Sequence, residues 1–210
     1  MTLGPLPMFP LGSVLFPSLA LPLHVFEPRY RAMTQHLLSE GVEPEFGVVL
    51  IERGSEVGGD DVRRSVGSVA RVRDATELPD GRWVLLALGT RRVRVVEWLP
   101  DDPWPRAIVE ELPDEDDGAE VEPDAWEGVR SSLRRVLGLA AELGEAAVAA
   151  TIELAEDPAL GTFQAAAVAP LGPFDQYRVL ECRRAAERVV LLDGLLADQA
   201  ELLEARLRLG

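Results

Sequence analysis

Phe9-Pro10-Leu11-Gly12-Ser13-Val14-Leu15-Phe16-Pro17-Ser18-Leu19-Ala20-Leu21-Pro22-Leu23-His24-Val25-Phe26-Glu27-Pro28-Arg29-Tyr30-Arg31 is the stretch whose reading decides the fold. Its four prolines remove backbone donors and push the residues before them toward extended conformations, which excludes one long helix. The stretch therefore reads as short extended pieces that run into a helix at Pro28, where a missing donor does no harm in the first turn. Leu15, Phe16, Leu19, Leu21, Leu23, Val25 and Phe26 carry enough apolar area to found a core, and the polar residues gather at the end, from His24 to Arg31.

Outward from this stretch, Tyr30, Met33, Leu37 and Leu38 recur at helical spacing as far as Gly41. Phe46 to Glu52 is a valine-rich apolar run that suits a buried strand. Val66 to Leu88 reads as a hairpin about Leu78-Pro79-Asp80-Gly81, with a further reversal expected at Gly89-Thr90. Val93 and Val95 alternate with Arg92, Arg94 and Val96 in a strand with one wet face, and Ala107 to Leu112 reads as a last strand. Six or more strands, one helix and no regular strand-helix alternation indicate a partly closed β-barrel rather than a parallel sheet.

Residues 113–123 are too acidic to bury area and are expected to form an exposed linker between a domain at 1–112 and a helical one at 124–210. Asp124 and Glu127 have the spacing of a capping box. Trp126, Val129, Leu133, Val136, Ala140 and Leu143 then fall on one helical face. Shorter helices are expected at 146–154, at 163–168 and from Phe174 to about Cys182. A final helix over about 184–208 needs a partner surface, which the 124–143 helix supplies. The fold class is thus α+β, a β-barrel followed by a C-terminal α-helical bundle.

Composition narrows the chemistry. The chain has 210 residues and a net charge of −15, and all 21 of its basic residues are arginine. Without lysine there is no Walker-type phosphate loop, Schiff-base nucleophile or serine-lysine dyad. One cysteine, Cys182, and two histidines, His24 and His36, cannot assemble a Cys/His zinc cluster, so neither metal nor cofactor is expected. Eight acids and no arginine lie in residues 114–127, the reverse of the basic stripe that nucleic-acid binding requires. Asp60-Asp61 and Asp114 to Asp117 lack the ordered ligand spacing of an EF-hand loop and read as solvated charge. No apolar run is long enough to span a bilayer, and no charged leader precedes an apolar core, so the expected location is the cytoplasm.

The opening stretch also resembles a known family. Phe9-Pro10-Leu11, Leu15-Phe16-Pro17 and above all Leu21 to Arg31 are similar to the amino-terminal domain of the ATP-dependent Lon proteases, and to stand-alone bacterial proteins made of that domain. The likeness continues in Phe46-Gly47-Val48-Val49-Leu50-Ile51, in Val66 to Val72, in Asp80-Gly81-Arg82 and in Gly89 to Val95. Ser18 departs from it, since the family usually carries glycine there. The resemblance implies a PUA-like pseudobarrel with a helical second subdomain. It also implies a non-enzymatic protein-binding role, the ATPase and protease modules of Lon being separate. Such a protein would recognise exposed apolar segments of unfolded client proteins, as adaptor or regulator of a separate ATP-dependent protease. RNA binding and small-ligand binding are the alternatives.

The residues marked for protein contact are Phe26, Glu27, Arg29, Tyr30, Arg31 and Arg92. In that reading Arg29 and Arg31 pair with a carboxylate or carbonyls, Tyr30 stacks on a bound side chain, and Arg91, Arg92 and Arg94 face an acidic partner. The competing structural reading has Glu27 and an arginine holding the strand-to-helix junction while Tyr30 packs beneath it. His24 is expected as a satisfied junction residue, and His36 as a helix-end cation. Ser13 and Ser18 have no base nearby. Trp83, Trp98 and Trp104 read as packing residues, and Cys182 as an inert thiol.

Overall fold

The computed structural model describes residues 2–54, 62–115, 121–145 and 148–209. The loop residues Gly58 to Asp61 and the acids Asp116 and Asp117 lie outside them. The chain forms two compact units, residues 1–113 and 114–210.

The first unit contains β1 (Thr2–Leu11), β2 (Ala20–Val25), α1 (Pro28–Leu37), β3 (Glu45–Arg53), β4 (Val62–Glu77), β5 (Trp83–Leu99) and β6 (Arg106–Glu111). The pairings β1–β3, β3–β4, β4–β5, β5–β6 and β6–β1 close on themselves. Only β1–β3 is parallel. β2 stands outside this ring, paired antiparallel to the first half of β5. The result is a mixed sheet curled into a pseudobarrel with one appended strand. Phe9, Leu15, Val25, Tyr30, Met33 and Phe46 pack in one cluster of its core. Met8, Val49, Val69, Val93, Ala107 and Val109 pack in another.

β5 runs unbroken through Gly89 and Thr90, so the reversal expected there does not occur. The glycine serves a close approach instead: a Cβ at Gly89 would collide with the Phe16 carbonyl. Ser18 explains that approach. It adopts φ 64, donates its N–H to the Gly89 carbonyl, and Gly89 donates in turn to the Leu19 carbonyl. This is the geometry of a G1-type bulge, in which the left-handed residue is normally glycine. The turn is therefore kept despite the serine.

Across the sheet, Glu45 is 8 % exposed and accepts hydrogen bonds from Arg71 and Arg91. Burial by itself would raise its pKa. The bonds from Arg91 and Arg71, with their charges, outweigh burial and hold the carboxyl below the ordinary 4.5.

The second unit contains α2 (Pro123–Glu142), α3 (Pro158–Val168), α4 (Pro173–Glu181) and α5 (Ala185–Leu209). α2 packs along α5, burying Trp126, Val129, Leu133 and Val136 from one and Val189, Leu192, Leu196 and Leu203 from the other. α2 begins two residues earlier than its capping-box spacing suggests. Pro123 occupies the first turn, Glu122 stands at the N-cap, and Glu127 pairs with Arg130 and Arg134. Of the helix expected at 146–154, residues 146–147 lie outside the described residues and 148–154 are irregular, with a bend and a turn, rather than helical. α3 starts five residues before its expected start, at Pro158, with the Asp157 carboxylate accepting from the Ala159 N–H at 2.9 Å.

The second unit also buries a charge. Arg188 has no exposed surface and holds Asp114, the Thr162 hydroxyl and the Ala159 carbonyl, with its guanidinium 4.2 Å from the Phe163 ring centroid. Asp114 is therefore the counter-ion of a buried arginine rather than solvated linker charge. Glu115 is likewise engaged, by Arg183 and Arg184.

Candidate functional site

β2 delivers the chain to α1 through Phe26 and Glu27, and this corner gathers most of the marked residues. Glu27 is the N-cap residue, extended at φ −67 and ψ 138, yet its side chain makes no cap. It accepts instead from Arg29 Nε at 3.1 Å. The Arg29 guanidinium lies 4.6 Å from the Tyr30 ring centroid, and Tyr30 stacks on Phe9 at 4.0 Å with an interplanar angle of 7°. Tyr30 is 2 % exposed. It packs beneath the corner, its ring stacked on Phe9, and only an edge of it is left to line the space beside the corner.

Beside the corner lies a cavity of about 170 Å³, walled by Phe9, Leu11, Leu23, Val25 and Tyr30 and rimmed by Phe26 and Glu27. Phe26 is 52 % exposed. Next to it on the outer face, Pro22 and His24 of β2 stand opposite Leu86 and Val84 of β5. Val84 and Leu86 are both exposed, as is His24, which therefore lines the rim rather than being tied into the junction. Apolar side chains thus line one opening, with His24 and the Glu27–Arg29 pair at its polar side.

Arg31 does not reach the cavity. Its guanidinium lies over Gly81 in the β4–β5 turn, where any Cβ would meet Nη2. Arg92 also departs from expectation. It is 4 % exposed within β5, so it cannot face a partner. Its neighbours are neutralised within the sheet, Arg91 by Glu45 and Glu111 and Arg94 by Glu110. Arg91 and Arg94, partly exposed, thus have their charges paired across the sheet. His36 stands in the last turn of α1 and stacks on Trp104 at 5.2 Å.

Leu23 and Val25 read as core-founding residues in the sequence, but the cavity that they wall together with Phe9 and Leu11 does not show there. Val84 and Leu86 were legible as strand residues, but their wet face shows only once β2 is paired. Among the described residues no group of His, Cys, Asp and Glu could hold a metal ion, and no helix is long and apolar enough to cross a membrane.

Comparison with known proteins agrees with this architecture. Lon protease 2 of Herpetosiphon aurantiacus is 29 % identical over 203 residues, which take in 95 % of this chain and 24 % of that protein. Lon protease 2 of Sorangium cellulosum is 31 % identical over 208 residues, with 95 % and 25 % covered. The chain spans about a quarter of the length of these curated relatives. The crystal structure of a Lon N-terminal domain protein from Xanthomonas campestris matches with a TM-score of 0.62 at 26 % identity, over 93 % of this chain and 98 % of that one. The N-terminal domain of a Mycobacterium avium complex Lon protease shares the fold, with a TM-score of 0.62 at 16 % identity over 93 % and 99 %. A family model described as the ATP-dependent protease La (LON) substrate-binding domain matches residues 5–198, and the chain belongs to that family.

Proposed function

We propose that this protein binds exposed apolar segments of unfolded proteins at the β2–α1 corner and presents them to a separate ATP-dependent protease. The observation that carries the reading is the open cavity beside a half-exposed Phe26, in a surface free of unpaired charge. Apolar area buried there would contribute about 25 cal/mol per Å², while Glu27 and Arg29 mark the polar end of the groove. Against an RNA-binding reading, which needs a basic face, Arg92 is buried and the partly exposed Arg91 and Arg94 are paired with Glu45, Glu111 and Glu110.

The test uses a fluorescein-labelled globular protein offered native and after reduction and alkylation. Selective retention of the unfolded form, weakened by Phe26→Ser, supports the reading. Equal retention of both forms, or of neither, sinks it.

A further inference from the structure

β2 is the one strand of the first unit with a neighbour on a single side, among the described residues. Its register shows which backbone groups are left over. The Gly89 N–H donates to the Leu19 carbonyl, so the pair 19/89 is a hydrogen-bonded one. In an antiparallel ladder such pairs alternate, and Leu21, Leu23 and Val25 therefore turn their backbone groups toward Ala87, Leu85 and Trp83. Ala20, Pro22 and His24 turn theirs to the free edge. Pro22 fits this assignment, since a proline is tolerated in a strand only where its missing donor faces no partner.

Natural sheets guard such edges with proline, as at Pro22 here, and with charged side chains, lysine above all. From Ala20 to Phe26 this edge carries no charged side chain in a chain of net charge −15. Pro22, Leu23, His24 and Val25 of the same strand line the cavity that Phe9, Leu11 and Tyr30 wall. Its volume of about 170 Å³ is on the scale that accepts a benzene ring in an apolar interior.

We infer that β2 is extended by an incoming strand: a neutral or basic client segment pairs its backbone with Ala20, Pro22 and His24 and places an apolar side chain in the cavity. The inference rests on the client-binding reading and adds its mode. Backbone pairing would supply affinity without regard to sequence, and the cavity a preference for a large apolar residue at alternate positions. Charge argues the same way, because the first unit carries 16 acids against 12 arginines and so favours neutral or basic segments over acidic ones. A second copy of this chain is the poorer occupant, because two facing β2 edges would each present a proline.

The test uses a fluorescein-labelled peptide of alternating threonine and phenylalanine and two versions of it, one N-methylated at every threonine and one at every phenylalanine. Side chains are identical throughout. Methylation in one frame should weaken binding by about tenfold or more and spare the other. Binding should also slow amide exchange at Ala20 and His24. Equal affinity in the two frames, whether both retained or both lost, overturns the inference, as does failure of the parent peptide to bind. Concentration-dependent protection of Ala20 and His24 without peptide also overturns it and assigns the edge to a second copy. If the reduced and alkylated client still binds in a Phe26-dependent way, the client-binding reading survives any of these failures.

Discussion

The guanidinium of Arg188, wholly buried, donates to the carboxylate of Asp114 through bonds of 2.9 and 2.6 Å. The two residues lie far apart in sequence, and the pair anchors the acidic segment at the head of the second unit to α5. Removing the carboxylate would take the counter-ion from a buried cation held otherwise by the neutral Thr162 hydroxyl and the Ala159 carbonyl, whereas removing the cation would leave an acid that is 33 % exposed and free to rehydrate. Asp114→Ala should therefore cost about 3–5 kcal/mol. Arg188→Met should cost less, and the double variant should recover most of the loss. Urea unfolding followed by helical circular dichroism measures all three.

Glu45 links the first unit to pH. Its pKa is lowered in the folded state, so its contribution to stability is fully present above the ordinary value of 4.5 and is lost as pH falls through the lower folded value. Wild-type urea midpoints should fall steeply below about pH 4.5. Glu45→Gln should be less stable at neutral pH and show a shallower acid limb. Identical pH profiles would contradict the role assigned to the Arg71–Glu45–Arg91 bridge.

Ser18 pays a conformational penalty at φ 64 that glycine would not. A left-handed backbone costs an L residue roughly 1–2 kcal/mol, partly offset by the greater freedom glycine loses on folding. Ser18→Gly should stabilise the protein by about 1 kcal/mol. The gain is read as a rise in the thermal midpoint with client binding unchanged.

Phe26 is half-exposed and outside the tight packing of the core. Phe26→Asp should change stability by no more than about 0.5 kcal/mol yet weaken retention of unfolded protein severalfold. Tyr30→Ala, by contrast, removes a buried ring stacked on Phe9 and should cost about 3–5 kcal/mol. Comparing the two variants separates contact from support at the same corner.

Much of the fold was legible in the residues because local pattern and packing agree. The prolines of residues 9–31, the valine run at 46–52 and the helical spacing from Trp126 to Leu143 each admit one regular structure. Gly89 misled because glycine serves turns and close contacts alike, and only the position of Phe16 tells them apart. The site was less legible. Arg92 reads as a wet-face residue by alternation, but a closed ring gives both faces of a strand a chance of burial. Arg188 carried a signal that went unread: it precedes Leu192 and Leu195 by four and seven residues, on the apolar stripe of α5, where a cation must be buried and paired.

The closing pairing of the ring joins Thr2 to Glu110 and Pro7 to Arg106. As the chain leaves the ribosome, β1 can find β3 early, but its first half has no partner until the residues of β6 emerge. The second half of β5 awaits the same strand. One short segment, Arg106–Glu111, therefore shuts two open edges at once. Until it arrives, the nascent protein is an exposed apolar chain of the kind it is proposed to bind.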